Sequence, residues 1–151
     1  MDVKEILENG FHRSLAGLDV FHIGKDGVRA RLPVRDSLRN FFGNLHGGAV
    51  ATLVDDVGTF AVMAADHYHR AGATTDLHVS YISAGAAGDS VLIEATVVSS
   101  GLTMAFVEVT LTSEIGGSVI ARAQMTKLLN AGATPKSVSK TRATPRQEPT
   151  S

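Results

Sequence analysis

Apolar and polar positions repeat with two different periods along this chain, and the changes between them mark its elements. Val3, Ile6, Leu7, Phe11 and Leu15 recur at helical spacing, which predicts a short amphipathic entry helix weakened by Gly10. "GVRARLPV", Gly27 to Val34, alternates and then meets a proline, the pattern of a strand near a sheet edge. Everything before Gly27 reads as the entry helix and a connector. Arg35 to Leu45 is polar and carries Gly43, as a loop does.

From Gly47 to about Ala65 the period changes again. Alanines, Leu53 and Met63 favour helix, and apolar residues occur on every side of it; a helix of that kind has to be enclosed. Four strands are then expected at Thr74 to Ser83, Ser90 to Ser99, Thr103 to Ser113 and Ser118 to Leu129. Between them stand Gly85 with Gly88, then Gly101, then Gly116 with Gly117, which punctuate hairpins. Within "TMAFVEVTLTS" the alternation changes phase at Phe106 or Val107, so a slip or bulge is expected there. One long helix wrapped by an antiparallel sheet is the economical way to bury it, an α+β arrangement of a single domain over residues 1–129.

Beyond Leu129 the pattern stops. Residues 130–151 hold three of the four prolines, almost no large apolar side chain, and four basic residues (Lys136, Lys140, Arg142, Arg146) against Glu148. That composition predicts a disordered tail.

Composition narrows the function. A chain of 151 residues with 44% hydrophobic and 19% charged residues and a net charge of −1 offers no electrostatic footprint for nucleic acid. No cysteine is present, so disulfides, thiolate nucleophiles and zinc–thiolate sites are excluded. The N-terminal segment lacks the features of a secretory or transit peptide, so the expected location is cytoplasmic. Ala49 to Ala65, interrupted by Asp55 and Asp56, is expected to be a core helix and not a membrane span. No metal or organic cofactor is expected: His67 and His69 are two apart with no third ligand in step, and His78 falls on the polar face of its strand. G-x-S-x-G, P-loop and G-x-G-x-x-G patterns are all missing, which removes the main support for serine-hydrolase and nucleotide-binding folds.

The chemistry concentrates in "NFFGNLHGGAVATLVDD", Asn40 to Asp56. The first turn of the long helix leaves unpaired amides at Gly47, Gly48 and Ala49, and the helix dipole favours negative charge there. A carbonyl oxygen placed over the Gly47 amide would be polarised as in an oxyanion hole. "HGG" alone is also what a plain loop-to-helix junction looks like. The two aspartates change the weighing, because unpaired buried carboxylates are costly. They either sit on a solvated stripe or pair with Arg39 or Arg70, or one of them acts as general base or nucleophile. Periodicity does not choose between Asp55 and Asp56. Asp55 lies eight residues beyond Gly47, about 12 Å along a helix, so one chain does not easily bring both to a single centre. Two antiparallel helices from two subunits would do so, with C2 symmetry and two shared sites.

"N-x-x-G-x-L-H-G-G" at Asn40 to Gly48 with "ATLVDD" at Ala51 to Asp56 resembles the acyl-CoA thioesterases of the hotdog fold, in the branch of the phenylacetate-pathway thioesterases and the eukaryotic thioesterase superfamily member 2 proteins. The likeness continues through "TTDLHVSYISAGAAGD", "SSGLTMAFVEVTL" and "GGSVIARAQMTKLL", so it covers about residues 28 to 129. It implies a hotdog fold, dimers that pair into tetramers, an acyl-CoA substrate, hydrolysis to a free acid and coenzyme A, and a place in fatty acid metabolism. It implies that Asp55, by register with His46, activates water or attacks the thioester. Gly47 would polarise the carbonyl, His46 and Asn40 would line and orient the site, and Thr74 would take the place of a serine that holds the water. Substrate would be bound by Gly48, Tyr81, Ile82 and Ser83, and by Ser99, Ser100, Gly101, Leu102 and Thr103.

The chain also departs from the eukaryotic branch. Where those relatives carry lysines or a histidine around the coenzyme's phosphates, Ala86, Ser99, Leu102, Ser118 and Leu128 stand here. Amides near Ser100 and Gly101, with Arg122 or Lys127, are what remains to hold phosphate, and a carrier-protein thioester becomes an alternative to coenzyme A. Phe41, Phe42, Phe60, Met63 and Tyr81 are available to line an acyl pocket. Two other activities fit the same resemblance: a hotdog dehydratase or hydratase, and a non-enzymatic acyl-thioester binding module.

Overall fold

A computed structural model describes residues 2–129 of the chain; the expected tail at 130–151 lies outside them. Six strands form one antiparallel sheet around a 19-residue helix, α2 (Gly47–Ala65). In chain order the strands are β1 (Asp19–Gly24), β2 (Gly27–Pro33), β3 (Ala73–Tyr81), β4 (Ser90–Ser100), β5 (Met104–Ser113) and β6 (Val119–Leu128). Their order across the sheet is β1-β2-β4-β5-β6-β3, so among the described residues β1 and β3 are the edges. This is the hotdog arrangement that the resemblance implies.

The enclosed helix behaves as its sequence requires. Val50, Leu53, Val54, Val57, Phe60, Ala61 and Val62 are all nearly inaccessible. They meet the inward rows of the sheet, among them Val28, Ala30 and Leu32 of β2, Val91, Ile93 and Ala95 of β4, and Val107, Val109 and Leu111 of β5. Burying each larger side chain contributes about 1.5 to 3 kcal/mol. By length and mean hydropathy, 1.4, α2 would suffice to cross a bilayer, but its apolar faces are already taken by the sheet, so it is the core helix.

Three expectations change. Val3 to Leu15 is not one helix: α1 covers Val3–Leu7, capped by the Asp2 carboxylate on the Lys4 and Glu5 amides, and a 3₁₀ segment follows at Gly10–Leu15. Gly10 adopts φ +56°, which an α-helix does not accommodate. Second, β1 was expected to be connector. "DVFHIG" leaves Phe21 and Ile23 largely exposed, so it shows no buried apolar face; the turn Lys25–Asp26 between paired Gly24 and Gly27 is the signal that it begins a hairpin. Third, β5 keeps strict alternation, with Ala105, Val107, Val109, Leu111 and Ser113 buried. The irregularity opposite Phe106 and Val107 belongs to β4, where the register skips Val98.

Two local features set the geometry of the site. The connector enters β3 through Gly72 at φ +64°, where a Cβ would stand 2.8 Å from the Leu128 carbonyl oxygen, so only glycine fits. Then β3 bulges: Thr74 pairs with Lys127, Asp76 pairs with Thr126, and Thr75 is the extra residue. A bulge re-aims the side chains beside it, and here it is Thr74 that turns toward α2.

Candidate active site

The two adjacent aspartates of α2 have different surroundings. Asp55 is half-buried, and its Oδ1 accepts a 2.6 Å hydrogen bond from the Thr74 hydroxyl. Among the described residues no group donates to Oδ2. Asp56, 6% exposed, pairs through its Oδ2 with Nδ1 of His12 at 2.9 Å. Burial pushes the Asp56 carboxyl above the usual carboxylate range, and the bond from His12 partly offsets that. Neither aspartate pairs with Arg39 or Arg70, which hold Asp36 and Asp66 instead. Asp55 is therefore the carboxylate with an oxygen to offer, and Asp56 ties the N-terminal 3₁₀ segment to the core helix.

Beneath Asp55 lies a residue that reading the sequence assigned wrongly. The Lys127 ammonium, a candidate phosphate ligand there, is 4% exposed and points inward. Its Nζ donates to the hydroxyls of Thr74 and Thr59, 2.9 Å each, while Thr59 donates to the Asp55 backbone carbonyl at 2.6 Å. Burial pulls the Lys127 pKa down, opposed by the charges of Asp55 and Asp56. The signal was present: Ala121, Ala123, Met125 and Lys127 form the inward row of β6, continued by buried Leu129 just past its end, and a lysine in that row breaks the alternation. Arg122, the other phosphate candidate, is exposed opposite Thr110 and Ser80, well along the sheet from the 99–103 turn.

The other end of α2 carries the donors. His46 is the N-cap, and its Nδ1 accepts from the Gly48 amide at 2.8 Å. That bond occupies the Gly48 amide and leaves the Gly47 amide with no acceptor among the described residues. Tyr81 packs beside Gly47, its hydroxyl donating to the Gly47 carbonyl at 3.0 Å. Ile82 is exposed, and Ser83 donates to the Val119 carbonyl. Asn40 shapes the preceding loop: its Oδ1 accepts from the amides of Phe42 and Asn44, so only its NH₂ end is free to face a substrate.

The expected substrate-binding residues thus divide into two groups. Gly48, Tyr81, Ile82 and Ser83 surround the start of α2. Ser99, Ser100, Gly101, Leu102 and Thr103 form the end of β4 and the β4–β5 turn, on the side of Thr74 and Lys127. That turn is braced by Arg70, which donates to the Leu102 carbonyl at 3.1 Å while clamped on Asp66. Arg70 in turn holds the Asp66 carboxyl down at about 2. The structure brings together Asp55 and Thr74, and separately Gly47, His46 and Tyr81; it does not bring the two sets to one point within a chain.

Other candidates resolve into structure. His69 bonds the Met63 carbonyl and His67 stacks edge-on against Tyr68. Phe60 and Met63 are buried in the core, whereas Phe41 and Phe42 stand exposed in an edge-to-face pair. A cleft of about 640 Å³ lies between α1 and β1, lined by Val3, Leu7, Leu18 and Val20, away from both carboxylate and amide.

A sheet around one enclosed helix, with a free amide at the helix start and an open carboxylate at its middle, defines the hotdog class. Comparison with known proteins gives the family. The thioesterase superfamily model matches residues 42–120, and the chain belongs to that family. It is 32% identical over 120 residues to acyl-coenzyme A thioesterase 13 of Mus musculus, which covers 80% of this chain and 85% of the relative. The crystal structure of zebra fish thioesterase superfamily member 2 superposes with a TM-score of 0.81 at 33% identity, over 85% of this chain and 93% of that one. A Streptococcus mutans protein solved bound to acetyl CoA superposes at 0.70 with 26% identity, over 75% and 88% of the two chains.

Proposed function

We propose that this protein hydrolyses acyl-CoA thioesters to free acid and coenzyme A, in a site completed by two copies of the chain. Support comes from the family, from relatives named as acyl-CoA thioesterases, and above all from one observation: the free Gly47 amide and the open Asp55 carboxylate lie eight residues apart on one helix, an axial rise of about 12 Å. The edge of β3, which no strand covers among the described residues, offers a way to join them. Antiparallel pairing of two β3 edges sets the Gly47 end of one helix against the Asp55 end of the other, giving two equivalent sites. Pairing of such dimers into a tetramer is the assembly this reading favours, in a cytoplasmic setting and in fatty acyl metabolism.

In such a site the thioester carbonyl oxygen lies on the Gly47 amide of one subunit. Asp55 of the partner subunit takes a proton from water through its free carboxylate oxygen as the water attacks the carbonyl carbon. Charge developing on the carbonyl oxygen is stabilised by the amide and the positive end of the helix. Collapse breaks the carbon–sulfur bond, and the departing thiolate recovers the proton from Asp55. The turn Ser99–Thr103, which carries no basic side chain, would hold the coenzyme's phosphates largely through its amides.

Thiol release from short, medium, long and aryl acyl-CoAs, measured on wild type and Asp55→Asn side by side, tests this reading. Turnover by wild type that is lost in the variant supports it and names the acyl class. Water addition to an enoyl thioester without thiol release would identify a hydratase, and saturable binding without turnover a sensing module.

A further inference from the structure

We propose that Lys127 is a positioning residue for hydrolysis, an internal cation that fixes the direction of the Thr74 hydroxyl and the place of the Asp55 carboxylate; this rests on the reading of Asp55 as the base. Lys127 occupies an inward place near the end of β6, between buried Met125 and the buried Leu129 that follows the strand, at 4% exposure, where an apolar residue would serve packing better and an unpaired charge is disfavoured. Its ammonium donates to two hydroxyls, Thr59 of α2 and Thr74 of β3. An ammonium has no acceptor capacity, so each threonine oxygen must accept from it and must send its own proton elsewhere.

Both protons go to Asp55. Thr74 donates to the carboxylate Oδ1 at 2.6 Å, and Thr59 to the backbone carbonyl of the same residue at 2.6 Å. One cation thereby sets the polarity of two hydrogen-bond chains that end on one aspartate, by way of the side chain and of the main chain. Without it, the Thr74 hydroxyl could rotate and accept from the attacking water instead of holding the carboxylate. Oδ1 is thus occupied and Oδ2 left as the oxygen that receives the proton.

The charged groups around Lys127 are few. From α2 it feels Asp55 and Asp56, the latter bonded to His12 of the 3₁₀ segment; β3 presents Thr74, and on β5 its partner is Ala105. The attraction between the ammonium and these two carboxylates is mutual, so removing the ammonium withdraws it from both.

The test compares thiol release against pH for wild type, Asp55→Asn, Lys127→Met and Thr59→Val, with an acyl-CoA that wild type turns over. Lys127→Met is expected to lower kcat by about 10- to 100-fold with KM within about twofold, and to move the acidic limb of the profile up by about one pH unit. Thr59→Val, nearly isosteric, keeps the ammonium but removes one chain, and is expected to lower kcat about 3- to 10-fold. A folded Lys127→Met with wild-type kcat overturns the proposal, as does one that loses kcat with an unmoved acidic limb. If Lys127→Met does not fold, unchanged kcat in Thr59→Val overturns it. An active Asp55→Asn would instead remove the base assignment on which the proposal depends.

Discussion

The start and the middle of helix α2 present opposite chemistry. At the start, His46 caps the helix, Tyr81 braces the Gly47 carbonyl, and one amide is left over. At the middle, Thr74, Thr59 and Lys127 surround Asp55 and leave one carboxylate oxygen. The first region can only donate to a substrate and the second can only accept from one. In the proposed reading each is half of a hydrolytic site, which would give a carboxylate its reason to stay on a helix otherwise enclosed by apolar strands. The neighbouring Asp56 shows the alternative fate: turned inward and bound to His12, it holds structure together.

Substitutions at the two regions should separate them. The largest expected effect is at the accepting half, where Asp55→Asn should lower kcat by about 10² to 10⁴ with secondary structure and oligomer intact, as measured by thiol release. Next, Thr74→Val should lower kcat about tenfold while Thr74→Ser stays near wild type, since only the hydroxyl is needed. At the donating half, Tyr81→Phe removes a single hydrogen bond to the Gly47 carbonyl and should cost about 2- to 10-fold in turnover.

Asp66 and Asp56 give smaller effects, read in stability. Asp66 is held at about 2 in the folded chain against 3.8 otherwise, so its contribution is present above pH 3.8 and is lost as pH falls toward 2. Asp66→Asn should therefore lower stability near neutrality by about 1 kcal/mol after solvent screening, and flatten the acid side of the Tm–pH curve. For Asp56 the sign reverses. Its pKa is raised on folding, so the folded state gains most from it when protonated, and stability falls as pH climbs from 3.8 through the raised value. Asp56→Asn should remove that slope and leave kcat within about twofold of wild type.

How much of this was legible in the sequence follows from how local each feature is. The buried helix, five of the six strands and the Asn40–Asp56 motif rest on short-range patterns, and the structure has them within a residue or two at most ends. β1 was hidden because its apolar residues are largely exposed, so burial and alternation give it no signature. The phase change near Phe106 was assigned to the wrong strand, because a bulge at Val98 is a property of pairing and not of either sequence alone. Periodicity left Asp55 and Asp56 unresolved for the same reason: what distinguishes them is Thr74, 19 residues away, and His12, 44 residues away. Lys127 was the avoidable miss, since its place in an inward row was visible and only its charge suggested the surface.

In the proposed site the two halves come from different chains, and subunit mixing tests that most directly. Asp55→Asn and Gly47→Val, each expected to be inactive as a homo-oligomer, are unfolded together, refolded and assayed for thiol release. A hybrid dimer would place both substitutions in one site and leave the other intact, so the prediction is recovery of activity toward about a quarter of wild type for random pairing. No recovery, with hybrid dimers shown to be present, would mean that Gly47 and Asp55 act within a single chain and would contradict the shared site.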